Sequence, residues 1–157
     1  MALESFFIDY GKQDIEPNEI VAGVSLPLKE HSHFHCWKIS KRFDQDISAV
    51  CGAFGFSIEN DTITSVRIAF GGMAATPRRA TLCEQALSGQ SVHRDLLRSA
   101  SEALAKDFAP ISDMRASASY RRLAAHGLLE RCLRSLSGQA LPQLFPTAQA
   151  VQAMAHE

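Results

Sequence analysis

Ile47-Ser48-Ala49-Val50-Cys51-Gly52-Ala53-Phe54-Gly55-Phe56-Ser57-Ile58-Glu59-Asn60-Asp61-Thr62-Ile63-Thr64-Ser65-Val66-Arg67-Ile68-Ala69-Phe70 reads as two strands and the turn between them. From Ile47 to Ile58, Ala49, Cys51 and Ala53 share one parity and Val50, Phe54, Phe56 and Ile58 the other. That is the period of a strand, whose successive side chains point to opposite faces. Glu59-Asn60-Asp61 supplies turn chemistry. Ile63, Val66, Ile68 and Phe70 then form a β-branched and aromatic run. Upstream, across the charged break Arg42 to Asp46, a strand begins at His33. It carries Phe34 and Cys36 on one face and Trp37 and Ile39 on the other. Three strands joined by short connections predict an antiparallel meander.

Helical spacing replaces the alternation after Gly71-Gly72. Pro77 stands where a helix starts, and Thr76 is its expected N-cap. Ala80, Leu82, Cys83, Ala86 and Leu87 follow, and Ser88-Gly89 stops the run. A second helix is predicted over Val92 to Phe108, with Leu97, Ala100, Leu104 and Phe108 in line and Pro110 beyond. The third has Tyr120, Leu123, Ala124, Gly127 and Leu128 on one stripe, widened by Leu129, Cys132, Leu133 and Leu136, with Gly138 at its end. Strands followed by helices predict an α+β fold, a three-stranded antiparallel sheet with about three helices on one face. Residues 29–139 hold this unit. Residues 140–157 form a tail with an alanine-rich stretch suited to a loose helix.

Residues 1–28 carry short apolar pieces, Phe6-Phe7-Ile8 and Ile20, Val21, Val24 and Leu26, around a polar middle, Gly11 to Asn18. They read as two short strands taken from a larger body, since isolated strand pairs are marginal.

The bulk numbers bound the function. The 157 residues are 46% hydrophobic, enough for one domain with a real core. Sixteen basic residues against 17 acidic ones leave a charge of −1, which offers no field for nucleic acid or anionic membrane. No apolar run approaches a membrane span of ~20 residues. The first ten residues lack the pattern of a secretory signal. Cys36, Cys51, Cys83 and Cys132 form no Cys-x-x-Cys pair, so reduced thiols and a cytoplasmic location are expected.

Candidate sites are few. No nucleophile elbow or phosphate-binding Gly-Lys loop occurs, and Gly71-Gly72 is too short for a phosphate cradle. His31, His33 and His35 alternate, so on a strand all three point to one side and suit zinc or copper. No acidic or cysteine partner shares their parity, and no physiological metal is expected. Asp46 is read as capping its turn with Arg42 paired to it; a general acid and base formed by the carboxylate pair Asp44 and Asp46 is the alternative. In Ser112 to Arg121, Ser117 is a candidate N-cap, with Asp113 and Arg115 fastening the loop. The alternative is anion binding by Arg115, Arg121 and Arg122 at the helix start.

Three blocks carry a resemblance: Arg42-Phe43-Asp44-Gln45-Asp46-Ile47-Ser48-Ala49-Val50, Arg67-Ile68-Ala69-Phe70-Gly71-Gly72-Met73-Ala74 with Pro77-Arg78-Arg79-Ala80, and Ser112 to Arg121. In this order they resemble the C-terminal domain of molybdenum-hydroxylase flavoproteins, the CO dehydrogenase flavoprotein C-terminal domain. The match runs from about His33 to Leu136, and the wording is most like the small subunit of bacterial xanthine dehydrogenase. Phe6 to Asp14 is similar to the end of that family's FAD-binding subdomain.

The resemblance implies a part in electron transfer from iron–sulfur clusters through FAD to NAD, with purine oxidation at a molybdenum cofactor elsewhere. It implies FAD in the intact enzyme only, with Lys38 at the flavin edge and Val21 as a backbone contact, and no catalytic residue here. The implied partners are the upstream FAD-binding and iron–sulfur segment and the molybdenum subunit. For the chain alone, a homodimer is expected. The family's FAD-clasping glycine loops lie upstream of the matched residues, and an excised piece, a split gene and a decayed reading frame all fit the sequence. A free-standing oligomerisation or binding module, or a histidine-strand metal protein, are the competing readings.

Overall fold

The computed structural model describes residues 1–26, 31–42, 45–93 and 95–141. Expectations that fall on Pro27 to Glu30, on Phe43 and Asp44, on Arg94 and on the alanine-rich tail lie outside the described residues. The chain opens with α1 (Leu3–Phe6), β1 (Phe7–Asp9) and β2 (Lys12–Gln13), a small antiparallel hairpin. Val21 to Leu26 form no strand, contrary to expectation. Most of their side chains are exposed, with no neighbouring ladder to pair them.

The main body follows as β3 (His33–Ile39), β4 (Val50–Glu59), β5 (Thr62–Gly71), β6 (Arg78–Arg79), α2 (Thr81–Leu87), α3 (Leu97–Asp107) and α4 (Ala118–Leu136). The α+β class stands, but the sheet has four strands in the order β3-β4-β5-β6. Arg78 and Arg79 sit where the sequence predicts the helix start. They turn back instead to pair with Phe70 and Ala69.

Asn60 and Asp61 both adopt left-handed φ, 48° and 59°, which closes the β4–β5 hairpin in two residues. The step from Ile63 to Val66 breaks the alternation for a physical reason. Ile58 pairs with Ile63 but Ser57 with Ser65, so Thr64 is bulged and the later side chains return to the core face. That face carries Val50, Phe54, Phe56, Ile63, Val66, Ile68 and Phe70, all buried. Phe70 stands edge-on to both Phe54 and Phe108, at 5.6 and 5.7 Å between ring centroids.

The helices cover this face. Helix α4 packs on β4 and β3, α2 on β5, and α3 on both α2 and α4. The start of α2 is capped from a distance. Ala80 is the N-cap and offers no side-chain bond. The Asp107 carboxylate, from the last turn of α3, accepts the Leu82 and Cys83 N–H groups at 2.9 Å each. Thr76 therefore does not cap the helix. Ser117 does cap α4, accepting the Tyr120 N–H at 3.2 Å.

Helix α4 faces the sheet with a different stripe from the one its apolar spacing predicts. Arg121, Ala125, Leu128, Leu129, Cys132 and Leu136 are buried, whereas Leu123 is 70% exposed. Arg121 sets this rotation. Its Nη1 donates to the carbonyls of Ala49, before β4, and of Gly72, after β5; its Nη2 meets Asp113 Oδ1 at 2.7 Å. Gly72 has φ +80°, and a Cβ there would lie 2.3 Å from the Ala49 oxygen, so only glycine admits this approach.

Removing a buried, paired charge strands its partners. Arg121→Ala is expected to destabilise the fold by about 3–5 kcal/mol. Leu123→Glu, on the stripe the spacing favours, is expected to change stability by about 0.5 kcal/mol or less. Urea unfolding of both variants checks this, and a reversed order would mean that the helix packs by its apolar stripe.

Candidate functional site

Among the described residues, α2, α3 and α4 leave the sheet's second face uncovered. Its rows are fixed by register: Lys38 opposite Cys51 opposite Gly71, then Cys36, Ala53, Ala69 and Arg79, then Phe34, Gly55 and Arg67. The side chains on β4 and β5 are nearly all small, so a flat body or another chain can approach the backbone along the Cys51 and Ala53 rows, while His31 lies over Gly55. The period-two string Cys51, Ala53, Gly55 was the sequence signal for it. Cations stand round the rim, and Phe34 is 63% exposed.

Lys38 is held at the edge by the turn that follows its strand. Its Nζ donates to the Asp46 carbonyl, and an ammonium has further donors to offer. Asp46 builds that turn: its carboxylate accepts the N–H of Arg42 and of Ile47 at 2.9 Å each, and Arg42 pairs with it at 3.8 Å. These bonds, the Arg42 N–H first, hold the Asp46 carboxyl below its usual range. A carboxylate so engaged caps the turn, as the sequence reading had it.

Beside the Lys38–Cys51–Gly71 row opens a cleft of about 470 Å³, lined by Tyr10, Ile47, Cys51, Gly71, Ile111, Asp113 and Arg115 among others. Tyr10 comes from the N-terminal hairpin, and Glu4 reaches Arg67 at 3.6 Å, so that hairpin lies on this side of the sheet. Tyr10 and Ile47 lie in stretches that carry the resemblance, but they and Ile111 are far apart in the chain and no spacing brings the three together, which is why sequence reasoning did not join them in a site. Val21, by contrast, makes no hydrogen bond among the described residues and is 56% exposed.

The histidines separate. His31 lies over Gly55 on the bare face. His35 is on the helix side, stacked on Trp37 at 4.7 Å and 3.3 Å from Ser135 Oγ. Burial, with the charges of His33 and Arg131, pushes the His35 pKa down. Among the described residues no three His, Cys, Asp or Glu side chains gather as a metal site. The Arg115, Arg121 and Arg122 anion cluster does not form either, because Arg121 is 3% exposed and engaged by two carbonyls and Asp113.

The family model of the CO dehydrogenase flavoprotein C-terminal domain matches residues 35–136. A putative xanthine dehydrogenase FAD-binding subunit of Escherichia coli (strain K12) is 31% identical over 121 residues, 76% of this chain and 41% of that protein. The nicotine 6-hydroxylase medium subunit of Paenarthrobacter nicotinovorans is 28% identical over 131 residues, 83% and 44% of the two chains. The chain thus spans less than half the length of these relatives. Among solved structures, reconstituted CO dehydrogenase from Oligotropha carboxidovorans superposes with a TM-score of 0.76 at 22% identity, over 87% of this chain and 48% of that one. Quinoline 2-oxidoreductase from Pseudomonas putida 86 gives 0.75 at 22% identity, over 86% and 47%.

The cleft's acidic wall has a pH signature. The N–H of Ala116, then Arg121 and the N–H of Arg115, bring the Asp113 carboxyl from 3.8 down to about 2. A depressed carboxylate contributes stability that is complete above its unfolded pKa and lost as pH falls through the folded one. Stability is therefore expected to decline between pH 3.8 and about 2. Asp113→Asn should flatten part of that decline, leaving the share from Asp46. An unchanged acid profile of the urea midpoint would remove Asp113 from this role.

Proposed function

The chain belongs to the CO dehydrogenase flavoprotein C-terminal domain family, and from that premise we propose that it forms the C-terminal part of the FAD unit of a xanthine-dehydrogenase-type molybdenum hydroxylase. The observation that carries this reading is the bare sheet face with the Lys38 ammonium at its edge. Small residues there let a planar ring approach the backbone, and the turn built by Asp46 holds Lys38 where that ring's edge would lie. Its positive charge favours negative charge developing on the docked group. Val21 contributes through its backbone, which makes no hydrogen bond among the described residues.

The same structure fits the flavin's ring better than its pyrophosphate. A phosphate cradle needs free backbone N–H groups in an open concavity. Around Gly72 the space is filled by the Ala49 carbonyl and the Arg121 guanidinium. The pyrophosphate grip is assigned to the preceding FAD-binding segment of such enzymes. Bound FAD supplies the electron chemistry that links the iron–sulfur relay to NAD. Iron–sulfur and molybdenum parts are the corresponding partners.

A second reading rests on the N-terminal stretch, where Ile20 is 87%, Val24 68% and Leu26 77% exposed. Apolar surface of this kind is commonly covered by another chain, and a symmetric homodimer of the chain alone answers that need. Light scattering after size exclusion is expected to show a dimer, and a chain beginning at Lys29 a monomer. Monomers in both cases would end the dimer reading.

Co-expression with an upstream FAD-binding segment is the test of the first. Flavin absorbance is expected to travel with the complex, while the chain alone shows no micromolar affinity for FAD in calorimetry and forms no urate from xanthine. In the complex, Lys38→Ala is expected to slow flavin reduction by NADH by about tenfold, a loss of about 1.4 kcal/mol in the barrier, with little change in the unfolding midpoint. Unchanged flavin kinetics would return Lys38 to an ordinary solvated lysine.

A further inference from the structure

We propose that Cys36 and Cys51 form a peroxide-sensitive dithiol, closing to a disulfide that ties the edge strand β3 to β4. Cys36 pairs with Ala53 and Lys38 with Cys51, so the two thiols are diagonal neighbours on the bare face. Burial first, and then the neighbouring Cys36 thiol, raise the Cys51 pKa, while Lys38 opposes them. Cys36 is exposed and Cys51 half-buried. An oxidant therefore reaches Cys36 first, and Cys51 stands ready behind it.

The chemistry balances with a hydroperoxide as oxidant. The Cys36 thiolate attacks one peroxide oxygen and gives the sulfenic acid, with water leaving as the second product. The Cys51 sulfur then attacks the Cys36 sulfur, forming the S–S bond and expelling the sulfenic oxygen as a second water. Two thiols have lost two electrons and two protons, and one peroxide has been reduced.

Diagonal neighbours lie about 7–8 Å apart at Cα, beyond the common disulfide span, so closure needs a small backbone shift. An edge strand is where such a shift is cheapest: among the described residues β3 pairs on one side only. Lys38 sits two positions from Cys36 and directly opposite Cys51, so the tie would move the ammonium that the bare face presents.

The chain carries its own control. Cys83 and Cys132 are both buried, and burial pushes each thiol up to about 12. They stay protonated and shielded, while the exposed pair reacts.

The full chain, reduced and then treated with a small excess of hydrogen peroxide, is alkylated and digested with trypsin without reduction. Cleavage after Lys38, Lys41 and Arg42 separates the two cysteines. Mass spectrometry is expected to find the Cys36 and Cys51 peptides joined and lighter by two hydrogens, with Cys83 and Cys132 alkylated. Cys36→Ser should abolish the joined species and leave Cys51 alkylated. Cys36 advanced to sulfinic acid with Cys51 still a thiol would overturn the proposal. So would a Cys36–Cys51 link found only between two copies on a non-reducing gel.

Discussion

The Arg121 guanidinium gathers three segments that the chain brings from far apart: Ala49 at the entry to β4, Gly72 at the exit of β5, and Asp113 in the loop before α4. Two backbone carbonyls at the end of a sheet have no strand partner there, and leaving them dry and unpaired would be costly. A planar fork of fixed donors satisfies both at once. The helix is thereby set in rotation as well as position, since Arg121 cannot reach the carbonyls from any other face of α4.

A similar economy of charged groups closes the sheet's far edge. The buried Glu84 carboxylate of α2 accepts the Ile68 N–H at 2.8 Å and the Arg79 Nε–H at 3.0 Å, so it completes a ladder that β6 is too short to cover. Farther along, Gln90 and Gly89 bond to Ile63, and Val92 to Asp61, so the connection after α2 serves as an edge guard. With the helices on one face and this edge occupied, what remains for contact is the bare face and the β3 edge. The cleft, Lys38 and the cysteine pair all lie there, and so does the N-terminal hairpin.

The amino-acid sequence by itself determined the strands and their alternation, the Asn60-Asp61 turn, the Ser117 cap and the use of Asp46, because each depends on interactions within a few residues. It also carried the family, through the blocks around Arg42, Arg67 and Ser112. Only the tertiary structure decided what depends on meetings at long range. The cap of α2 comes from Asp107 rather than from neighbouring Thr76. The Arg78-Arg79 pair joins the sheet because β5 offers an open edge. Arg121 replaces Leu123 on the buried stripe, since apolar spacing records transfer from water but not the demand of two distant carbonyls. The bare face was written in Cys51, Ala53 and Gly55, yet small residues at period two read alike whether helices cover them or nothing does.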